Sequence, residues 1–260
     1  MMKKKMYKNP LILLAIAAVL LVASTVGTTQ AALTYYSENY MAEVTVSKVG
    51  VTLRENGEEI SRRNYLEDNR WDEVKGTLFT DITDVTLGET YEERISVKNS
   101  GAIDTYVRVI LTRSWQHDKD ENGEYEKDQY LSPELIQINF LTGDNGWVID
   151  TEASTAEQTV LYYTKVLPIE DEENPGAEVT PDFMDSLRID PSVGTKVNKT
   201  VTTNSKGTTV VYDYAYDGYK FVIEAEVNAV QTHNAKEAIK SAWGVDVELA
   251  ADGSGNISLK

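Results

Sequence analysis

The chain of 260 residues contains no cysteine, which removes disulfides, thiol nucleophiles and cysteine-ligated metals from consideration. Histidine is nearly as scarce: only His117 and His233 occur, and neither has a second histidine four residues away. The His-Glu-x-x-His helix of zinc peptidases is therefore missing. A Gly-x-Ser-x-Gly elbow, which would expose a nucleophilic serine, is also absent. Basic residues are outnumbered, 25 against 42 acidic ones, for a net charge of −17. Such a surface repels nucleic acid and anionic membranes. It favours solubility, cation binding or a basic partner.

What is present begins at the N-terminus, MMKKKMYKNPLILLAIAAVLLVASTVGTTQAA. Lys3, Lys4, Lys5 and Lys8 precede an apolar stretch from Leu11 to Val26, and small and polar residues lead to Ala31 and Ala32. This is the order of a secretory signal peptide. The apolar stretch is short for a membrane span, which needs about 20 residues, although an uncleaved N-terminal anchor is the competing reading. No second run of that length follows. The expectation is cleavage between Ala31 and Ala32 by a signal peptidase, leaving a secreted chain, residues 32–260, with no membrane attachment. Removal takes away four lysines and no acids, so 21 basic and 42 acidic residues remain, a net charge of −21.

Beyond the leader the dominant pattern is alternation with period two. Val51 and Leu53 run into an Asn56-Gly57 turn, and Ile95 and Val97 run into Asn99-Ser100-Gly101. Val107, Val109 and Leu111 share a face, as do Ile136, Ile138 and Phe140. Thr159–Val166 is rich in β-branched and aromatic residues. The clearest strand places Tyr219, Phe221, Ile223, Ala225 and Val227 on one side and Lys220, Glu224 and Glu226 on the other. Residues 62–82, 115–130 and 168–215 read as loops or insertions. Within the last, 168–182 holds three prolines and six acids and reads as a solvated excursion. Asn234 with Glu237 fits a capping box before Ala235, Ile239 and Trp243, and Gly244 ends this short helix of about ten residues. The expected fold is all-β: a single antiparallel β-sandwich of jelly-roll type over 32–260, with long loops and one short helix near the C-terminus.

The ordered series of segments resembles the TasA/camelysin family of Gram-positive bacteria. The segments are Leu33-Thr-Tyr-Tyr-Ser-Glu-Asn39, Val44-Thr-Val-Ser47 with Val51-Thr-Leu53, Leu87-Gly-Glu-Thr-Tyr91, Ile95-Ser-Val-Lys-Asn-Ser-Gly101, Tyr106-Val-Arg-Val-Ile-Leu111 and Phe221 to Gln231. The resemblance implies export through a dedicated signal peptidase, a jelly-roll domain, and a role as the major fibre protein of a biofilm matrix. It further implies assembly by donor-strand exchange, in which the freed N-terminal segment of one subunit completes the sheet of the next. In this chain the donor would be residues 32–46, carrying Leu33, Tyr35, Tyr36, Tyr40, Met41, Val44 and Val46. The competing reading of the same segment is an intramolecular edge strand or a tail. The implied partners are further copies of the chain in a head-to-tail polymer, other matrix proteins and polysaccharide.

Two further functional classes stay open from the residues. Residues 118–129 align with a calcium loop through Asp118, Asp120, Asn122, Gly123 and Tyr125, with Glu124 as a further oxygen donor. Gln129 stands where a bidentate glutamate is required, so any calcium site would be weak, and Glu126 or Asp128 could substitute. The alternative is an acidic hairpin turning at Asn122-Gly123. Tyr162, Tyr163, Tyr212, Tyr214, Tyr216 and Tyr219 are candidate sugar platforms, although strand spacing also explains them as sheet-face pairs. A cell-surface adhesin or carbohydrate-binding module is thus the alternative to a structural subunit. A secreted metalloendopeptidase, a label some family members carry, is the third. No catalytic residue is assigned, and no cofactor is expected beyond weak calcium.

Overall fold

The computed structural model describes residues 49–260 except 66–69, 83, 120–124, 196, 205–206, 215 and 217–218. The signal residues Ala31 and Ala32, and the donor residues Leu33, Tyr35, Tyr36, Tyr40, Met41, Val44 and Val46, lie outside the described residues.

The first sheet is built on β1 (Gly50–Glu55) and β2 (Glu58–Tyr65), joined by the Asn56-Gly57 turn. Asn56 (φ 50°) and Gly57 (φ 89°) both take the left-handed backbone that a two-residue hairpin turn requires. The Asn56 amide also donates to Glu93 Oε2 (2.8 Å), and its oxygen accepts from the Arg94 N–H (3.0 Å), fastening the turn to the next strand. The sheet is completed by β3 (Trp71–Val74), β4 (Thr90–Asn99), β7 (Ile136–Phe140) and β10 (Met184–Ile189), in the order β3-β2-β1-β4-β10-β7. The second sheet contains β5 (Thr105–Lys119), β8 (Trp147–Asp150), β9 (Gln158–Leu167) and β13 (Lys220–Gln231), in the order β13-β5-β9-β8, with β6 (Tyr125–Lys127) also on β5. Every pairing is antiparallel. The chain passes repeatedly from one sheet to the other, as jelly-roll connections do. The molecule is thus an all-β antiparallel sandwich with one short helix near its C-terminus, the fold class implied by the sequence pattern.

Period-two alternation puts Leu53, Ile95, Val97, Val109, Leu111 and Leu161 between the sheets, where all are buried. Burying such a side chain contributes about 1.5–3 kcal/mol. Trp147, fully buried, packs against Tyr163 (5.3 Å) and Phe183 (5.2 Å), and its indole N–H donates to the Pro181 carbonyl (2.8 Å). A second apolar layer covers the outer face of the second sheet. There α1 (Ala235–Trp243) presents Ile239 and Trp243 to Tyr106, Tyr162 and Val230, beside the hairpin of β14 (Val247–Leu249) and β15 (Ile257–Leu259). The last hairpin is β11 (Val197–Asn204) with β12 (Gly207–Tyr214).

Several expectations need correction. Residues 62–82 are not one long loop, because 62–65 continue β2 and 71–74 form β3. Residues 115–130 hold the end of β5 and β6, which pair across the segment. Within 168–215, β10 lies between β4 and β7 and is integral to the sheet, and β11 and β12 are strands. The acidic stretch is continuously exposed only over 169–176. From Glu178 to Phe183 the chain lies along β4, bonding Asn99 N–H to Glu178 O (2.8 Å), Thr180 N–H to Val97 O (2.8 Å) and Phe183 N–H to Ile95 O (2.9 Å). The capping box does not form: Asn234 sits in the left-handed region (φ 51°) and its side chain makes no capping bond. Gly244 does close the helix in left-handed conformation, donating to Lys240 O.

Candidate functional site: an open groove along β13

Strand β13 pairs along its whole length with β5, from Lys220–Gln116 to Gln231–Thr105. On its other side no strand pairs with it among the described residues. In an antiparallel ladder about half of a strand's N–H and C=O groups point away from its single partner. The side chains carry the same asymmetry. Val107, Val109 and Leu111 on β5 are fully buried, whereas Phe221, Ile223, Ala225, Val227 and Ala229 on β13 keep part of their surface exposed. Among the described residues, the core is therefore sealed under β5 and open beside β13.

Three recesses overlap along this edge. The first, of about 810 Å³, runs beside Tyr219 to Ile223. The second, about 580 Å³, runs beside Ile223 to Asn228, and the third, about 410 Å³, beside Glu226 to Ala229. Together they follow β13 from Phe221 to Ala229 and narrow in that direction.

The far wall of the wide end is residues 76–87. Gly76 brings this strap against β2, since a Cβ there would lie 2.1 Å from the Ile60 carbonyl oxygen. Glu55, buried at the end of β1, accepts the Phe79 N–H (2.8 Å). Burial raises its pKa above the ordinary carboxylate range; the charges of Glu93 and Asp81 add to the rise and the Phe79 hydrogen bond opposes it. Thr86 N–H donates to the Tyr91 hydroxyl (2.7 Å), and Gly88 N–H to Ile189 O (2.8 Å). So anchored, the strap presents Leu78, Phe79 and Ile82 to the groove. The floor there is Trp115, edge-on to Phe221 at 6.2 Å, with its indole N–H on Ser132 O. Tyr216 and Tyr219, 5.3 Å apart, frame the mouth.

The narrow end differs in chemistry. Arg63 lies over the Trp71 ring (4.4 Å) and lines both the second and third recesses. Arg108 bonds Asn228 Oδ1 (2.7 and 3.1 Å) and lies 5.4 Å from the Trp243 ring centre. Val49, where the described chain begins, lines this same end beside Val227 and Ala229.

Among the described residues, the other sequence candidates are not brought together. Of the calcium residues, Asp120, Asn122 and Glu124 lie outside the described residues, as does the side chain of Asp118, and Gln129 is exposed. Asp128 spends Oδ1 on the N–H groups of Tyr130 (2.9 Å) and Leu131 (2.6 Å), a turn-forming role. Among the described residues no group of three or more histidines and acids is placed to hold a metal ion. His117 packs against Tyr219 (5.6 Å) and His233 is exposed before α1. Tyr162 and Tyr163 are buried and offer no sugar platform, while Tyr216 and Tyr219 belong to the groove mouth. Sequence reasoning missed the groove walls. Their signal was the scatter of Leu78, Phe79, Ile82 and Leu87 through an otherwise polar stretch.

No family model, no curated protein and no solved structure matches the chain.

Proposed function

We propose that the protein is an exported structural subunit of an extracellular fibre, in which residues 32–46 of one copy add a strand to β13 of the next. The carrying observation is that, among the described residues, β13 has a strand on one side only, beside partly exposed core residues. An edge of this kind is a template for a further strand, whose main chain supplies affinity and whose alternate side chains fill the recesses. A contact between two different surfaces of the same chain is heterologous and propagates when its rotation does not close. The segment 32–46 has the β-rich and aromatic composition that such a strand needs. The resemblance to the TasA/camelysin family agrees with this reading, as does a signal peptide whose removal would free the donor. Other matrix components and polysaccharide are the natural company of such a fibre outside the cell.

Electron microscopy of purified Ala32–Lys260, concentrated and left to stand, tests the proposal. Filaments are expected, and deletion of Ala32–Met41 removes them. A soluble monomer that instead binds glycan through Tyr216 and Tyr219 would identify an adhesin or carbohydrate-binding module. Chelator-sensitive cleavage of casein would identify a peptidase.

A further inference from the structure

We infer that the donated strand runs antiparallel to β13, with Val44 beside Phe221, Tyr40 opposite Ala225, Tyr36 opposite Ala229 and Glu38 facing Arg63. This rests on the strand-exchange reading and fixes the polarity and register of that exchange.

The polarity follows from where the chain leaves the fold. Val49 lies at the Ala229 end of the groove, so each subunit's donor departs from that end. Residues 45–49 span at most about 17 Å, so the donor's own body must sit close to the end at which its strand is rooted. If the root lay at the acceptor's Ala229 end, two identical ends would face each other. Each donor would then reach its partner's groove, and the pair would close as a two-fold dimer. If the root lies at the Phe221 end, unlike ends meet and every subunit keeps a free groove and a free donor. Only this arrangement propagates, and its ladder is the antiparallel kind, the more stable per residue.

The register follows from side chains. In residues 34–46 the phase Tyr36, Tyr40, Ala42, Val44, Val46 is the apolar one, with Glu38 its single charge. Run antiparallel, with Tyr40 on Ala225 and Tyr36 on Ala229, this phase sets large donor residues against small acceptor residues. Val44 lies by Phe221 and Ala42 by Ile223, so bulk alternates across the new pair. Glu38 then falls opposite Val227, in the part of the groove lined by Arg63. The outward residues Met41, Asn39 and Ser37 face Glu224, Glu226 and Asn228 with no like-charge pair. A shift of two residues that brings Val46 to Phe221 would place Glu43 opposite Glu224, which is unfavourable. The opposite polarity, with Val44 or Val46 at Ala229, would set Glu38 beside Ile223 or Phe221, at the apolar end lined by Leu78 and Phe79.

The cysteine-free chain allows a test without background thiols. Ala32–Lys260 carrying Met41→Cys with Glu224→Cys is assembled, oxidised and run on a non-reducing gel. A ladder of covalent multimers is expected. Covalent dimers or in-chain links from Glu43→Cys with Asn228→Cys, and none from the first pair, would overturn the polarity. Filaments that neither pair cross-links would place the donor away from β13. Absence of filaments from the unsubstituted chain would instead overturn the fibre reading itself. Because a cysteine could disturb packing, a charge exchange provides a second measure. Glu38→Arg and Arg63→Glu should each raise the concentration needed for filaments on the order of tenfold, and the double variant should recover most of it. Equal behaviour of all three variants would refute the Glu38–Arg63 pairing.

Discussion

Substituting alanine for Gly76 should loosen the wall of the groove without touching β13. The backbone of Gly76 is not in the left-handed region, so the cost is steric. An added Cβ would stand 2.1 Å from the Ile60 carbonyl oxygen, 2.8 Å from its carbon and 2.5 Å from Cγ2. Ile60 is the extra residue at a bulge, where pairing with β1 skips from Ser61 to Glu59, and it is flanked by ladder residues that resist displacement. The strap must therefore move. Overpacking of this kind costs about 1–3 kcal/mol, and a clash with main chain belongs at the upper end. For a domain of this size, about 3 kcal/mol lowers Tm by roughly 6–12 °C. Gly143→Ala is the control: its φ is 101° but its Cβ would meet nothing within 4 Å. It should cost about 1–2 kcal/mol from backbone strain alone, at a turn remote from the groove wall. Thermal unfolding gives both costs. Filament yield, at a temperature where each variant is folded, separates them, since only Gly76→Ala should reduce it. A Tm for Gly76→Ala within a degree of the parent would refute the close approach of strap and β2.

Other outcomes follow from the same geometry. Glu55 has a raised pKa in the folded state, so the folded protein binds more protons than the unfolded chain as pH falls from neutral toward the ordinary glutamate range. Its ionised form therefore weighs against folding at neutral pH, and that burden is lifted below its folded pKa. Glu55→Gln keeps an acceptor for the Phe79 N–H, so it should gain stability relative to the parent as pH rises through the folded pKa. Urea midpoints at pH 4.5 and 7.5 measure this, and a pH-independent difference would count against it. Trp147→Ala removes a fully buried ring and its bond to Pro181 O, and should cost about 3–5 kcal/mol in urea unfolding. Asp128→Ala leaves the Tyr130 and Leu131 N–H groups without their acceptor and should cost about 1–3 kcal/mol. That loss should be the same with and without millimolar calcium; a loss seen only with calcium would identify Asp128 as a ligand.

The elements legible in the sequence were those with undisturbed alternation. Val107, Val109 and Leu111 in β5 and Phe221 to Val227 in β13 keep strict phase, and both strands pair without a break along their shared ladder. The Asn56-Gly57 turn and the Gly244 stop were legible because few residues accept left-handed backbone. Strand β10 was hidden by an irregularity between Met184 and Ser186, which shifts the phase of Met184 against Leu187 and Ile189. Strands β2 and β3 were hidden because they are the last two strands at one side of the sheet, where Arg62 and Arg63 are exposed and Asp72 partly so. The capping box failed for a local reason: Asn234 takes left-handed backbone rather than the extended backbone typical of an N-cap, and its side chain makes no capping bond. The groove was half legible. Its floor strand declared itself, but its walls come from residues far apart in the chain, among them Leu78, Ile189 and Arg63, which only the fold unites.

Fibre assembly as proposed requires that β13 accept a strand from another copy of the chain. The most direct measurement is electron microscopy of assembled Ala32–Lys260 beside the same chain lacking Ala32–Met41, with folding of both checked by circular dichroism. Strand β13 has 12 residues, which at about 3.4 Å each is roughly 40 Å. Filaments are expected from the longer chain, with an axial repeat of about that length or slightly more, and folded monomers from the shorter one. Filaments of unchanged appearance from the shorter chain, or discrete particles from the longer one at every concentration, would contradict it.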